Sequence, residues 1–144
     1  MKTGHFFSKL DSKTIVDAIG RAEAGTSGEI RVHVTRHEPK DIEARARERF
    51  QKLGMTKTAR HNAVLFYIAP RIQKFQILGD TGVHEKCGDD FWKETAAALS
   101  DAFRRGDFTG GLVAGIEKIG AVLKEHFPHE ADDRNELPDE VSED

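Results

Sequence analysis

The chain has 144 residues, of which 38% are hydrophobic and 33% charged, and a formal net charge of −3. That length and balance describe one soluble globular domain with a core of its own. The single cysteine, Cys87, excludes a disulfide framework or a cysteine-rich zinc module, and the longest nearly apolar run, 63–69, is far too short to cross a bilayer. Residues 1–7 lack a long apolar core with a small-residue cleavage site, so the cytoplasm is the expected compartment.

In chain order, Ser12 reads as an N-cap, with Ile15, Val16, Ile19 and Ala22 at helical spacing until Gly25 stops the run. From Gly28 to Thr35 the pattern alternates: Ile30, Val32 and Val34 share one side, Arg31, His33 and Thr35 the other. This predicts a strand with one covered face. Pro39 and Asp41 open a second helix, whose stripe is Ile42, Ala46, Phe50 and Leu53, and Gly54 closes it. Residues 63–69 are apolar on both faces and predict a central strand ended by Pro70. Residues 74–78 resume the strand pattern after a turn too short for a crossover, so this strand pairs antiparallel to the second. A helix from about Asp89 buries Phe91, Trp92, Ala96, Leu99 and Phe103, and a last one from near Thr109 buries Leu112, Ile116, Ile119 and Leu123. Gly111, Gly115 and Gly120 point to close helix contact.

A right-handed crossover through the second helix makes strands one and two parallel. The expected fold is α/β: a three-layer α/β/α sandwich around a small mixed sheet, Rossmann-like. It spans residues 1–128. Residues 129–144 hold eight acidic residues and one basic, against 21 basic and 17 acidic in the body. Such a tail reads as flexible, either solvated or folded back on the basic body to screen a site.

This topology brings the starts of strands one and two and the end of strand three to one end of the sheet. Glu29, Asn62 and Asp80 meet there, three hard oxygen donors suited to Ca2+ or Mg2+ rather than zinc. Asp89, Asp90 and Asp107 lie in segments able to reach the same end. Asp89 and Asp107 also suit helix capping, whereas Asp80, between Gly79 and Thr81, is the least easily explained that way. Gly110-Gly111 at a helix start suits either packing or an anion. His84 and Glu85 offer an acid and a base, or a solvated loop pair. His33 and His37 lack a third ligand at metal spacing, and Cys87 reads as an inert thiol. No phosphate-binding, dinucleotide-binding, serine-hydrolase or zinc-protease motif is present. Arg45, Arg47 and Arg49 are spread around a helix beside Glu43 and Glu48 without aromatic interleaving, so no nucleic-acid partner is expected.

Four segments in order, Ser27-Gly28-Glu29-Ile30-Arg31-Val32, Asn62-Ala63-Val64-Leu65, Leu78-Gly79-Asp80-Thr81-Gly82-Val83-His84 and Arg105-Gly106-Asp107-Phe108-Thr109-Gly110-Gly111-Leu112, resemble the TPM domain family across about residues 8–127. That family includes thylakoid-lumen proteins linked to photosystem II repair and many bacterial membrane-anchored proteins. The motif from Asn135 to Val141 is similar to its stand-alone soluble branch. The resemblance implies the same α/β sandwich and a divalent cation, notably calcium, at the acidic loops. It also implies two functions: a cation-binding accessory or assembly module with a protein partner, or a metal-assisted acid phosphatase in which Asp80 or His84 handles protons. Arg31, Arg60 and Lys86 are the cations such a phosphatase would use on phosphate. The chain departs from anchored members in having no signal segment or membrane-spanning tail, and in carrying His84 where many have an acidic residue. A monomer without a membrane span is the expectation.

Overall fold

The computed structural model describes residues 2–128 and 140–144. Its elements are α1 (Thr3–Ser8), α2 (Ser12–Glu23), β1 (Glu29–Val34), α3 (Ile42–Lys52), β2 (Ala63–Ala69), β3 (Lys74–Gly79), α4 (Thr81–Arg104), α5 (Phe108–His126) and β4 (Val141–Glu143). The sheet order is β3-β2-β1-β4. β1 runs parallel to β2 and to β4, while β2 and β3 are antiparallel. The expected crossover and return are both present, and the architecture is a three-layer α/β/α sandwich around a mixed sheet.

Alternation along the strands sorts the core into two layers. Ile30, Val32, Val34, Val64, Phe66 and Ile68 pack against α1, α2, α4 and α5. Ala63, Leu65 and Tyr67 meet Ala46 and Phe50 of α3 and Met55 on the other face. Two glycines of α5 bring helices close, since a Cβ on Gly111 would sit 2.7 Å from Ala102 Cβ and one on Gly120 only 2.6 Å from Ala22 Cβ; Gly115 instead faces the Phe66 ring of β2, 3.2 Å from where its Cβ would be.

Several local expectations change. The N-cap of α2 is Asp11, whose carboxylate accepts from Thr14 N–H at 3.1 Å, rather than Ser12. α1 was not expected; its buried Phe6 packs on Phe108 and Phe103, ring centroids 4.9 and 6.2 Å away. α4 begins at Thr81, eight residues before Asp89, because Asp80 caps it and Val83 is buried beneath its first turn. The helix is broken once, at Gly88, where φ 76° and ψ 170° are open only to glycine. β1 is buried on both faces instead of one. Its Arg31 and His33 side chains lie under residues 140–144, of which 141–143 form an unexpected strand. The rest of the acidic tail, 129–139, lies outside the described residues.

Candidate functional site

The sheet end named from topology exists. Glu29 pairs with Ala63 across β1 and β2, and Asp80 N–H donates to Ala63 O at 2.9 Å. Glu29, Ala63 and Asp80 therefore form one row, on the α3 side by alternation with Leu65 and Leu78. With strands about 4.8 Å apart, the two acidic residues stand about 10 Å apart at Cα across a single alanine methyl. Asn62 precedes that alanine, its Nδ2 donating to Ser27 Oγ at 3.0 Å.

Asp80 divides its carboxylate. Oδ1 accepts from Thr81 N–H at 2.8 Å, which corrects the view that capping explains this residue least. Oδ2 faces His61 Nδ1 at 3.4 Å and is buried without a hydrogen bond, as is Asn62 Oδ1. His61 sits at φ 51°, in the left-handed region that a non-glycine residue enters at a conformational cost of about 1 kcal/mol or more. Its carbonyl accepts from Gly82 N–H at 2.9 Å, tying the 61–62 turn to the start of α4. Strand order places His61 at this end of the sheet but assigns it no role; its place beside Asp80 depends on a pairing between residues 19 positions apart.

Outside this row an open cleft of about 730 Å3 runs along β3 between α3 and α4, lined in part by Asp80, His84, Asp89, Trp92, Arg47 and Lys93. His84 Nε2 lies 3.6 Å from Asp89 Oδ1, both side chains largely exposed. They sit on α4 rather than in a loop. Asp90 is exposed and does not line the cleft. Asp107 is at the opposite end: it caps α5 by accepting from Gly110 N–H at 3.0 Å, next to Phe108, which borders a second cavity with Pro70 and Lys74. The structure thus places Glu29, Asn62 and Asp80 at one end of the sheet, Glu29 and Asp80 in one row and Asn62 next to the alanine between them; Asp89 lies on the cleft rim, and Asp90 and Asp107 lie elsewhere. Among the described residues no three His, Cys, Asp or Glu side chains converge as a metal cluster. Burial raises the Cys87 thiol above its ordinary pKa, consistent with an inert role.

Sequence reasoning also missed the pairing of β1 with the tail. Arg31 bonds Glu140, His33 Nδ1 lies 2.7 Å from Ser142 Oγ, and His33 Nε2 lies 3.4 Å from Asp144 Oδ1. Arg49 of α3 donates to Asp144 at 2.6 Å. Desolvation lowers the His33 pKa, partly opposed by the Asp144 charge. Burial pushes Asp144 upward, but hydrogen bonding from Thr35 and the charges of His33 and Arg49 prevail and hold it below the usual value.

Fold and site define an α/β sandwich module with oxygen donors gathered at one end of its sheet. The chain belongs to the TPM domain family, whose model matches residues 1–122. It is similar to the BA42 protein from the psychrophilic bacterium Bizionia argentinensis, at 43% identity over 94% of this chain and 95% of that one, with a TM-score of 0.86. Two further structures share the fold alone. One is the N-terminal domain of the cg2496 protein from Corynebacterium glutamicum (21% identity, 77% and 70% of the two chains, TM-score 0.59). The other is the N-terminal domain of a protein from P. gingivalis (17%, 79% and 76%, TM-score 0.64). Among curated proteins none matches. Among the described residues no helix is long and apolar enough to cross a membrane.

Proposed function

We propose that this chain is an accessory module that binds a divalent cation, Ca2+ or Mg2+, through Glu29, Asn62 and Asp80, and presents the bound state to a protein partner. One observation carries the reading: Asp80 Oδ2 and Asn62 Oδ1 are buried without hydrogen bonds at the sheet end where Glu29 stands in the same row. Buried oxygens of this kind are costly unless something donates to or coordinates them. A hard cation suits such donors, and waters would complete a shell of 6–8 oxygens for calcium. The phosphomonoesterase alternative has less support. It needs cations aimed at phosphate beside Asp80, yet Arg31 is buried against Glu140, neither Arg60 nor Lys86 lines the cleft, and of the cleft's Arg47 and Lys93 the first pairs with Glu43 at 2.8 Å.

Calcium and magnesium titrations followed by backbone amide shifts test the reading. Saturable shifts confined to residues 28–29, 61–62 and 80–82 are expected, with affinity at least tenfold weaker in Asp80→Asn. Absence of saturation, or binding unchanged by the substitution, overturns it. A phosphomonoester assay on both proteins separates the alternative: metal-dependent turnover lost in Asp80→Asn would favour the enzyme.

A further inference from the structure

β1 is an interior strand only because β4 lies outside it. Its odd-numbered residues bond to β2, as where Glu29 N–H donates to Asn62 O and Thr35 N–H to Ile68 O. The even-numbered residues turn their backbone groups to the other edge. There Ile30 N–H donates to Glu23 Oε2 at 2.8 Å. Further along, Asp144 N–H donates to Val34 O and Arg36 N–H to Asp144 O, both at 3.3 Å. The register pairs Val32, His33 and Val34 with Val141, Ser142 and Glu143.

Period-two geometry sorts the tail chemically. Glu140, Ser142 and Asp144 fall on the side of Arg31, His33 and Arg49, while Val141 packs against the main core. The receiving side is therefore built: a guanidinium and an imidazole nearly fully buried on a central strand, and a second guanidinium contributed by α3. The occupant is slight. It has three strand residues, one half-buried apolar side chain and a half-exposed Glu140. The β1–β2 ladder and the packing of α2 and α5 do not pass through it.

We propose that the outer edge of β1, with Arg31, His33 and Arg49 beside it, is a docking groove for an acidic extended segment of a partner protein, held in cis by β4 until the partner displaces it. The recognised strand runs parallel to β1. It places carboxylate or hydroxyl side chains at alternate positions over the cations, and a β-branched apolar residue between them. Main-chain bonds give affinity and the alternating side chains give selectivity, the mode of strand addition to a sheet edge. The cis strand acts as a competitor at an effective concentration on the order of millimolar. This groove lies on the edge of the sheet opposite β3 and stands independently of the cation site.

The probe is a synthetic peptide of residues 137–144, added to the isotope-labelled full chain. Ser142→Pro removes the N–H that the parallel register aims at β1 and leaves the basic groove intact. In that variant the amides of residues 141–144 are expected to shift to unpaired values while the rest of the sheet is unchanged. The peptide should then perturb Val32, Val34 and Thr35 saturably, at a half-saturation at least tenfold lower than in the unaltered chain. A peptide with Glu and Asp replaced by Gln and Asn should bind at least tenfold more weakly. Failure of the peptide to bind the released chain, equal binding of the neutral peptide, or an unfolded Ser142→Pro chain would overturn the proposal. Dimerisation of the unaltered chain by exchange of β4 would also overturn it, since the occupant would then be a second copy of this chain.

Discussion

Asp80 caps α4 with one carboxylate oxygen and turns the other inward beside His61, so two substitutions separate its roles. Asparagine caps about as well as aspartate; alanine does not. Asp80→Ala should lower stability by about 1 kcal/mol, or about 3 °C in the melting midpoint, whereas Asp80→Asn should leave it nearly unchanged. Calorimetry on both, without added metal, checks this and shows whether lost cation binding in Asp80→Asn is free of a folding defect. His33 makes a second residue-scale case. Its folded pKa lies below its ordinary 6.5, so below that pH the unfolded chain binds a proton that the folded chain refuses. Stability should fall as pH drops from 6.5 toward the folded value, and Asp144, held below 3.8, adds a further loss under more acidic conditions. Urea unfolding at about pH 7.5 and about pH 5 should show the first loss, and His33→Gln should reduce it. That Glu29, Asn62 and Asp80 lie at one end of the sheet was legible because strand direction alone sets it. His33 was not, because its partners are about 110 positions away.

At the scale of elements, α5 depends on small side chains where it meets other helices. Gly120 lets it lie against α2, with Ala22 where a Cβ would project. In a helix interior, glycine to alanine ordinarily gains up to about 1 kcal/mol from propensity. Here the added methyl must force two buried helices apart, and overpacking costs about 1–3 kcal/mol. Gly120→Ala is therefore expected to be net destabilising, measured as a lower urea midpoint with an unchanged slope. The glycine spacing in the sequence announced this contact. The start of α4 was not announced. Gly79, Gly82 and Gly88 give residues 79–88 the composition of a loop, and that local signal was overridden by the Asp80 cap and the burial of Val83.

Over the whole molecule, charge divides as it does in the sequence, a basic body against an acidic C-terminal stretch, and the described end of that stretch returns to the body. Alternation could not reveal β4, because Val141 is its single apolar residue and the complementary charges belong to Arg31 and Arg49. A three-residue strand carries too little pattern to be read without its partner. Its stability should accordingly differ in kind from that of the rest of the sheet. β2 is held by apolar burial on both faces, a term that salt does not weaken. β4 is held by few main-chain bonds and by ion pairs whose acidic members are partly exposed. Raising salt from about 0.1 M to about 1 M shortens the screening length from about 10 Å to about 3 Å. Amide exchange at Ser142 and Asp144 should then accelerate severalfold while exchange in β2 slows or holds. Equal protection of both strands at high salt would show that β4 is held by packing rather than charge.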